Sequence, residues 1–184
     1  MLAAIAKRLQ RIARFGHDES GVSAVEFAML LPLMLTLYLG SVEVSQGIAA
    51  DRKVTMTARA VADLVSQSAT VNNAAMTNIL AAASAVMAPY DVNQAVVTVS
   101  VVAIDANGKA TVSWSDSLNG TPRTKGSAVT LPSALLVPNT SLVWGEASYN
   151  YTPVIGYVIS GTLTLKDQIY MRPRLSDTIT RTAS

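Results

Sequence analysis

Few residues in this 184-residue chain are equipped for chemistry. The single histidine, His17, sits in a basic amino-terminal stretch, and cysteine is absent. The rest of the chain therefore has no imidazole for an acid–base pair or zinc cluster, and no thiolate for nucleophilic attack or a disulfide frame. Neither a phosphate-cradling loop nor a nucleophile elbow occurs. Asp105 beside a turn, Asp116 near a loop and Glu146 on a strand pattern read as surface carboxylates. The expectation is a chain that is not an enzyme and holds no metal or cofactor. Glu26 is the residue whose placement demands an explanation. It lies five residues after Gly21, inside a largely apolar run that is otherwise uncharged as far as Val42. A carboxylate in hydrocarbon costs about 2.5–3.5 kcal/mol at mid-span, and less toward the edge. Such a group either snorkels to the head groups or needs a partner.

The element that must position Glu26 is a membrane segment. Phe27–Val42 carries no charge and holds six leucines. Sixteen residues are short for the hydrocarbon layer, but Val22–Ile48 makes about 40 Å of helix, against about 30 Å required. Lys7, Arg8, Arg11 and Arg14 precede it, so the amino end is expected to stay cytoplasmic while the rest is exported. Pro32, inside the span, would cost about 3 kcal/mol in a water-exposed helix, but lipid-embedded helices tolerate it. Residues 2–15 alternate apolar and basic positions in a way that fits an amphipathic helix on the inner leaflet.

Composition agrees with an anchored chain. Half the residues are apolar and 14% are charged, below the roughly 25% usual for a soluble domain. Four of the 14 basic and two of the 12 acidic residues fall in residues 1–21, leaving ten of each and a neutral exported part. No basic stripe interleaves with aromatics, so nucleic acid is not an expected partner. A processed anchor is one of three forms the apolar segment could take. The second is a Sec-type signal peptide cut at Gly47-Ile48-Ala49, although the amino region is long and holds Asp18 and Glu19. The third is an uncut single-pass anchor.

Beyond the span the helical pattern continues to about Gln67, with Val54, Ala58, Val61 and Val65 on one face. Glu43 reads as a solvated interfacial residue. Asn73 is the expected N-cap of a second helix, which buries Met76, Ile79, Leu80, Ala83, Val86 and Met87 and stops at Pro89. The period then changes to two. Val97, Val99 and Val101 form a strand, Asn107-Gly108 a hairpin turn, and Val112 and Trp114 belong to the partner strand. Ser117–Ser127 reads as a surface loop with Arg123 and Lys125 solvated. Leu142–Tyr151 is a third strand, with Val143, Ala147, Tyr149 and Tyr151 on one face, and Thr162–Met171 a fourth. The apolar Val154–Leu165, with Gly156 and Gly161, is open to three readings: a strand pair, a second membrane contact or a partner-facing patch. It is too short and glycine-rich to span on its own.

Gly21-Val22, the series Ser23-Ala24-Val25-Glu26-Phe27-Ala28 and Leu31-Pro32-Leu33 together resemble the processing region of type IV-type prepilins. Most of all they resemble the TadE-like pseudopilins of tight-adherence (Flp) pili. Tyr149-Asn150-Tyr151-Thr152-Pro153 and Arg172-Pro173-Arg174 resemble the carboxy-terminal half of that family. The resemblance implies several things. A prepilin peptidase cuts after Gly21 and exposes a cationic amine on Val22. Glu26 pairs with the Val22 amine of a neighbouring subunit and sets helix register. Ala24, Phe27, Pro32 and Glu43 occupy motif positions, Glu43 as a second acid at the outer membrane edge.

The implied architecture is α+β and pilin-like. A leader (1–21) precedes a transmembrane helix (22–48), which runs into a periplasmic head (49–184) with a second helix packed on a small antiparallel sheet. The implied setting is the bacterial inner membrane, with its lipid, other pilins and the pilus platform as partners. A head of this size suggests a minor component, because the major pilin of such systems is very short. The von Willebrand-type domain of TadG-like relatives would not fit in the chain.

Overall fold

The computed structural model describes residues 20–183. The basic cluster, the amphipathic pattern of residues 2–15, His17, Asp18 and Glu19 lie outside the described residues. One helix, α1 (Ser20–Ser66), runs unbroken for 47 residues through Pro32. Residues 21–35 are all exposed. An 18-residue window of α1 has a mean hydropathy of 1.9 and none of it is buried inside the protein, so by length and composition α1 suffices to cross a membrane.

The second half of α1 is the spine of the head. Ala50, Val54, Ala58, Val61 and Val65 are buried, one position per turn, as a helix laying one face on a sheet requires. The helix ends where Asp63 takes over the local hydrogen bonds, accepting from the Ser66 hydroxyl and from the Gln67 backbone and side-chain amides.

A two-residue strand, β1 (Thr70–Val71), leads into α2 (Asn73–Met87). The N-cap of α2 is Asn72, not Asn73: its side-chain oxygen accepts from the Ala75 amide at 2.8 Å. Both asparagines are suitable caps, and Asn73 is engaged elsewhere, accepting from Arg181 and donating to the Ala183 carbonyl. Met76, Ile79, Ala83 and Met87 face the core, and Leu80 packs on it partly buried.

The sheet comprises β2 (Ala95–Ile104), β3 (Ala110–Leu118), β4 (Thr140–Tyr151) and β5 (Leu163–Met171). All neighbours are antiparallel, in the order β3-β2-β4-β5. Asp105 closes the β2–β3 hairpin by accepting from the Asn107 and Lys109 amides, and Gly108 takes the left-handed conformation the turn needs (φ +78°). A bulge shifts the pairing between Val101 and Val102, so Trp114 pairs with Val101 but Val112 with Val102. That puts the two β3 residues on opposite faces, where simple alternation predicts one. β3 also runs on to Leu118, into what the sequence suggests is loop.

Val97, Val99, Val101, Val143, Ala147, Tyr149 and Tyr151 face α1 and α2 and form the main core. Gly145 is where helix and sheet approach closest. A Cβ built on it would lie 2.6 Å from the Ala58 carbonyl oxygen and 2.8 Å from the Ala62 Cβ. A smaller cluster of Val102, Ile104, Ala110, Leu131, Leu142 and Trp144 is a second buried core. The carboxy-terminal stretch returns to the end of α1. β6 (Thr180–Arg181) pairs parallel with β1, and the Trp114 indole donates to the Ile179 carbonyl at 2.7 Å. Arg174 pairs with Asp63, and Arg181 with Asp116 at 2.9 Å. The fold is α+β: a long apolar helix, a second helix and a small antiparallel sheet.

Candidate functional site

The residues singled out in the sequence fall on two stretches of α1. Gly21, Val22, Ala24, Glu26 and Phe27 occupy its first described turns, all exposed. A Cβ at Gly21 would meet nothing within 4 Å. Val22 and Glu26 are four residues apart and thus on the same helix face, about 5–6 Å between Cβ atoms. Glu26 takes part in none of the three ion pairs found among the described residues. Beyond it, Pro32 sits in continuous helix, and the Thr36 hydroxyl donates to its carbonyl at 2.8 Å. The structure therefore places Gly21, Val22 and Glu26 together, with Pro32 farther along the same exposed stretch.

Glu43 is elsewhere and in a different state. The solvated interfacial glutamate that the sequence suggests is overturned: the residue is fully buried. Its carboxylate accepts three successive backbone amides from the loop between β4 and β5, Tyr157 at 2.7 Å and Val158 and Ile159 at 2.9 Å each. Consecutive amides converging on one anion form a backbone nest. Gly156, at φ +64°, supplies the left-handed turn that aims them. The rest of the contact is built from small residues on the same helix stripe. Val158 closes on Gly40, where a Cβ would come within 3.0 Å of its methyl group. The Tyr157 hydroxyl lies 3.5 Å from the Thr36 hydroxyl. The Tyr151 ring lies over Gly47, its hydroxyl buried with no protein partner, and burial pushes that phenol above its ordinary pKa. Thr36, Gly40, Glu43 and Gly47 thus prolong toward the amino end the stripe that Ala50 and Val54 present to the head.

Sequence reasoning missed this clasp. The available signal was Gly40, Glu43 and Gly47 at three- and four-residue spacing, with an uncharged glycine-containing segment elsewhere to receive them. Val154–Leu165 is no strand pair: β5 starts only at Leu163, and the rest is loop against α1.

Arg123, Glu146 and Trp144 lie on the face of the sheet away from α1. Arg123 is not simply solvated. Its guanidinium forks onto both carboxylate oxygens of Glu146 and lies 3.8 Å over the Trp144 ring. Glu146 and Asp116, read as plain surface carboxylates, are each held by an arginine. Lys166, Asp167 and Gln168 complete a shallow polar cleft beside Arg123. Among the described residues no three His, Cys, Asp or Glu side chains converge as a metal site would require.

Residues 21–63 match the model of the family described as TadE-like protein, the segment that holds Gly21, Glu26, Pro32 and Glu43. No curated protein and no solved structure matches the chain.

Proposed function

We propose that this chain is a minor pilin or pseudopilin of a tight-adherence pilus, made as a precursor, cut after Gly21 by a prepilin peptidase and assembled through the exposed first part of α1. One observation carries the reading. A lone carboxylate, Glu26, lies in the exposed apolar first part of α1, four residues from Val22, within the segment that matches the TadE-like family. A TadE-like segment supports association with a Tad pilus system.

In this reading Val22 becomes the amino terminus. Its ammonium, on one subunit, offsets the burial of Glu26 on the next, since two opposite charges in a low-dielectric setting attract far more strongly than in water. Other pilins and the inner-membrane platform are the partners. The head stays on the periplasmic side, and the amino terminus faces the cytoplasm until processing. The chain is then a substrate and a structural subunit, not an enzyme, and it needs no cofactor. A folded head of this size, clamped to its own helix, suits a component that starts or caps assembly.

Two variants test the division of roles. Gly21→Leu is expected to block processing. Glu26→Val is expected to be processed normally but to fail to co-purify with the other pilins and to reduce surface pili. If Glu26→Val assembles like the parent, the pairing role is wrong. If Gly21→Leu is inert and the parent is never shortened, the chain is instead an uncut, membrane-anchored scaffold.

A further inference from the structure

The clasp sits at an unexpected depth. A hydrocarbon layer of about 30 Å takes about 20 helical residues. Any such window containing the uncharged Phe27–Val42 ends between residues 42 and 46. Thr36 is then about 9–15 Å, and Gly40 about 3–9 Å, inside the head-side boundary at 1.5 Å per residue. Val158 packs on Gly40, and the Tyr157 hydroxyl lies beside Thr36. The loop therefore reaches the level of the membrane.

Its chemistry suits that level. From Ala147 to Leu165 there is no charged residue. Val154 is 89% exposed, Tyr157 62% and Val158 53%, so the loop turns apolar side chains outward from the protein. Irregular backbone at membrane depth persists only where its polar groups are satisfied from within the protein. Where the loop meets α1, the Tyr157, Val158 and Ile159 amides, three in succession, are satisfied by Glu43. A buried carboxylate on a membrane helix is otherwise hard to account for. As the acceptor for a submerged loop it has a reason to be there.

We propose that residues 153–161 form a second membrane element, a re-entrant loop that inserts into the head-side leaflet alongside α1, with Glu43 as its internal hydrogen-bond cap. The occupant of its exposed apolar face is lipid, because that face is continuous with the exposed first part of α1. The proposal rests on α1 being the membrane span, and the test separates the two.

The chain has no cysteine, so single-cysteine variants of the full chain can carry an environment-sensitive fluorophore (NBD) in vesicles of phosphatidylethanolamine and phosphatidylglycerol. Val154→Cys and Ile155→Cys are the probes. Leu35→Cys marks the span, and Lys125→Cys the head. The expected result is blue-shifted emission from both loop probes, quenched by acyl-chain doxyl lipid to the extent seen at Leu35→Cys and unaffected by aqueous iodide. Adding Glu43→Gln to Val154→Cys should shift that probe back toward water while Leu35→Cys stays in lipid. Iodide quenching of the loop probes with Leu35→Cys in lipid overturns the loop and leaves the span intact. Iodide quenching of Leu35→Cys overturns both. Loop probes shielded from both quenchers, with cysteine cross-links between copies, would replace lipid by a second copy as occupant and also refute the proposal.

Discussion

Replacing Gly145 by alanine tests the packing that joins the long helix to the head. The added methyl group would meet the Ala58 carbonyl oxygen at 2.6 Å and the Ala62 Cβ at 2.8 Å, where ordinary contact begins near 3.4 Å. Neither obstacle has a rotamer to escape into. Gly145 is also paired with Val99 on β2 and with Ile169 on β5, so the strand is held from both sides. The helix must therefore retreat by about 0.8 Å, the difference from ordinary contact, loosening Val54, Val61 and Val65 on the same face. Overpacking of this kind costs about 1–3 kcal/mol. Two unyielding neighbours put this case at the upper end, and the stiffer unfolded chain returns about 0.5–1 kcal/mol.

The net expectation is a loss of about 2 kcal/mol, or about 4–8 °C in midpoint for a chain of this size. The assay is guanidinium and thermal unfolding of the full chain in detergent micelles, followed by tryptophan fluorescence. Adding Ala62→Gly should recover only part of the loss, since it removes the 2.8 Å contact but not the carbonyl. A Gly145→Ala protein as stable as the parent would mean that helix and sheet are not in contact there.

Two further expectations concern side chains whose partners lie far away in sequence. Glu43→Gln keeps the size of the side chain but turns a donor toward one of the loop amides. Hydrogen exchange at Tyr157, Val158 and Ile159 should then speed up while exchange along α1 is unchanged, and unchanged protection of the three amides would contradict the nest. Arg123→Ala removes both the fork to Glu146 and the stack on Trp144. These groups are about a quarter exposed, so solvent screening limits the expected cost to about 1 kcal/mol. Trp144 emission should shift in the same variant, and an unchanged spectrum would place the guanidinium elsewhere.

Elements with a sustained period were legible in the sequence, and contacts between distant residues were not. The apolar run and the spacing of Val54, Ala58, Val61 and Val65 fix α1, because a helix records its buried face every three to four residues. Val97–Val101, Asn107-Gly108 and Leu142–Tyr151 revealed the hairpin and the central strands by alternation and turn chemistry. β1 and β6 left no trace, since two residues have no period. The cap moved by one residue because Asn72 and Asn73 are locally equivalent, and only the distant Arg181 and Ala183 distinguish them. Glu43 and Arg123 were misread for one reason. An isolated charge reads as solvated unless its partner is known, and the partners lie 114 and 23 residues away. Glu26 stood out as a charge inside an apolar run, whereas Gly21 and Val22 were recognisable by resemblance alone, because no intramolecular pattern encodes them.

The proposed role stands or falls on processing at Gly21, which the intact mass of the protein extracted from membranes of cells with an active prepilin peptidase would reveal. The expected product is a chain shortened by its first 21 residues, beginning at Val22, with a full-length chain in cells lacking the peptidase. A mature protein still beginning at Met1, or one cut near Ala49, would contradict the proposal.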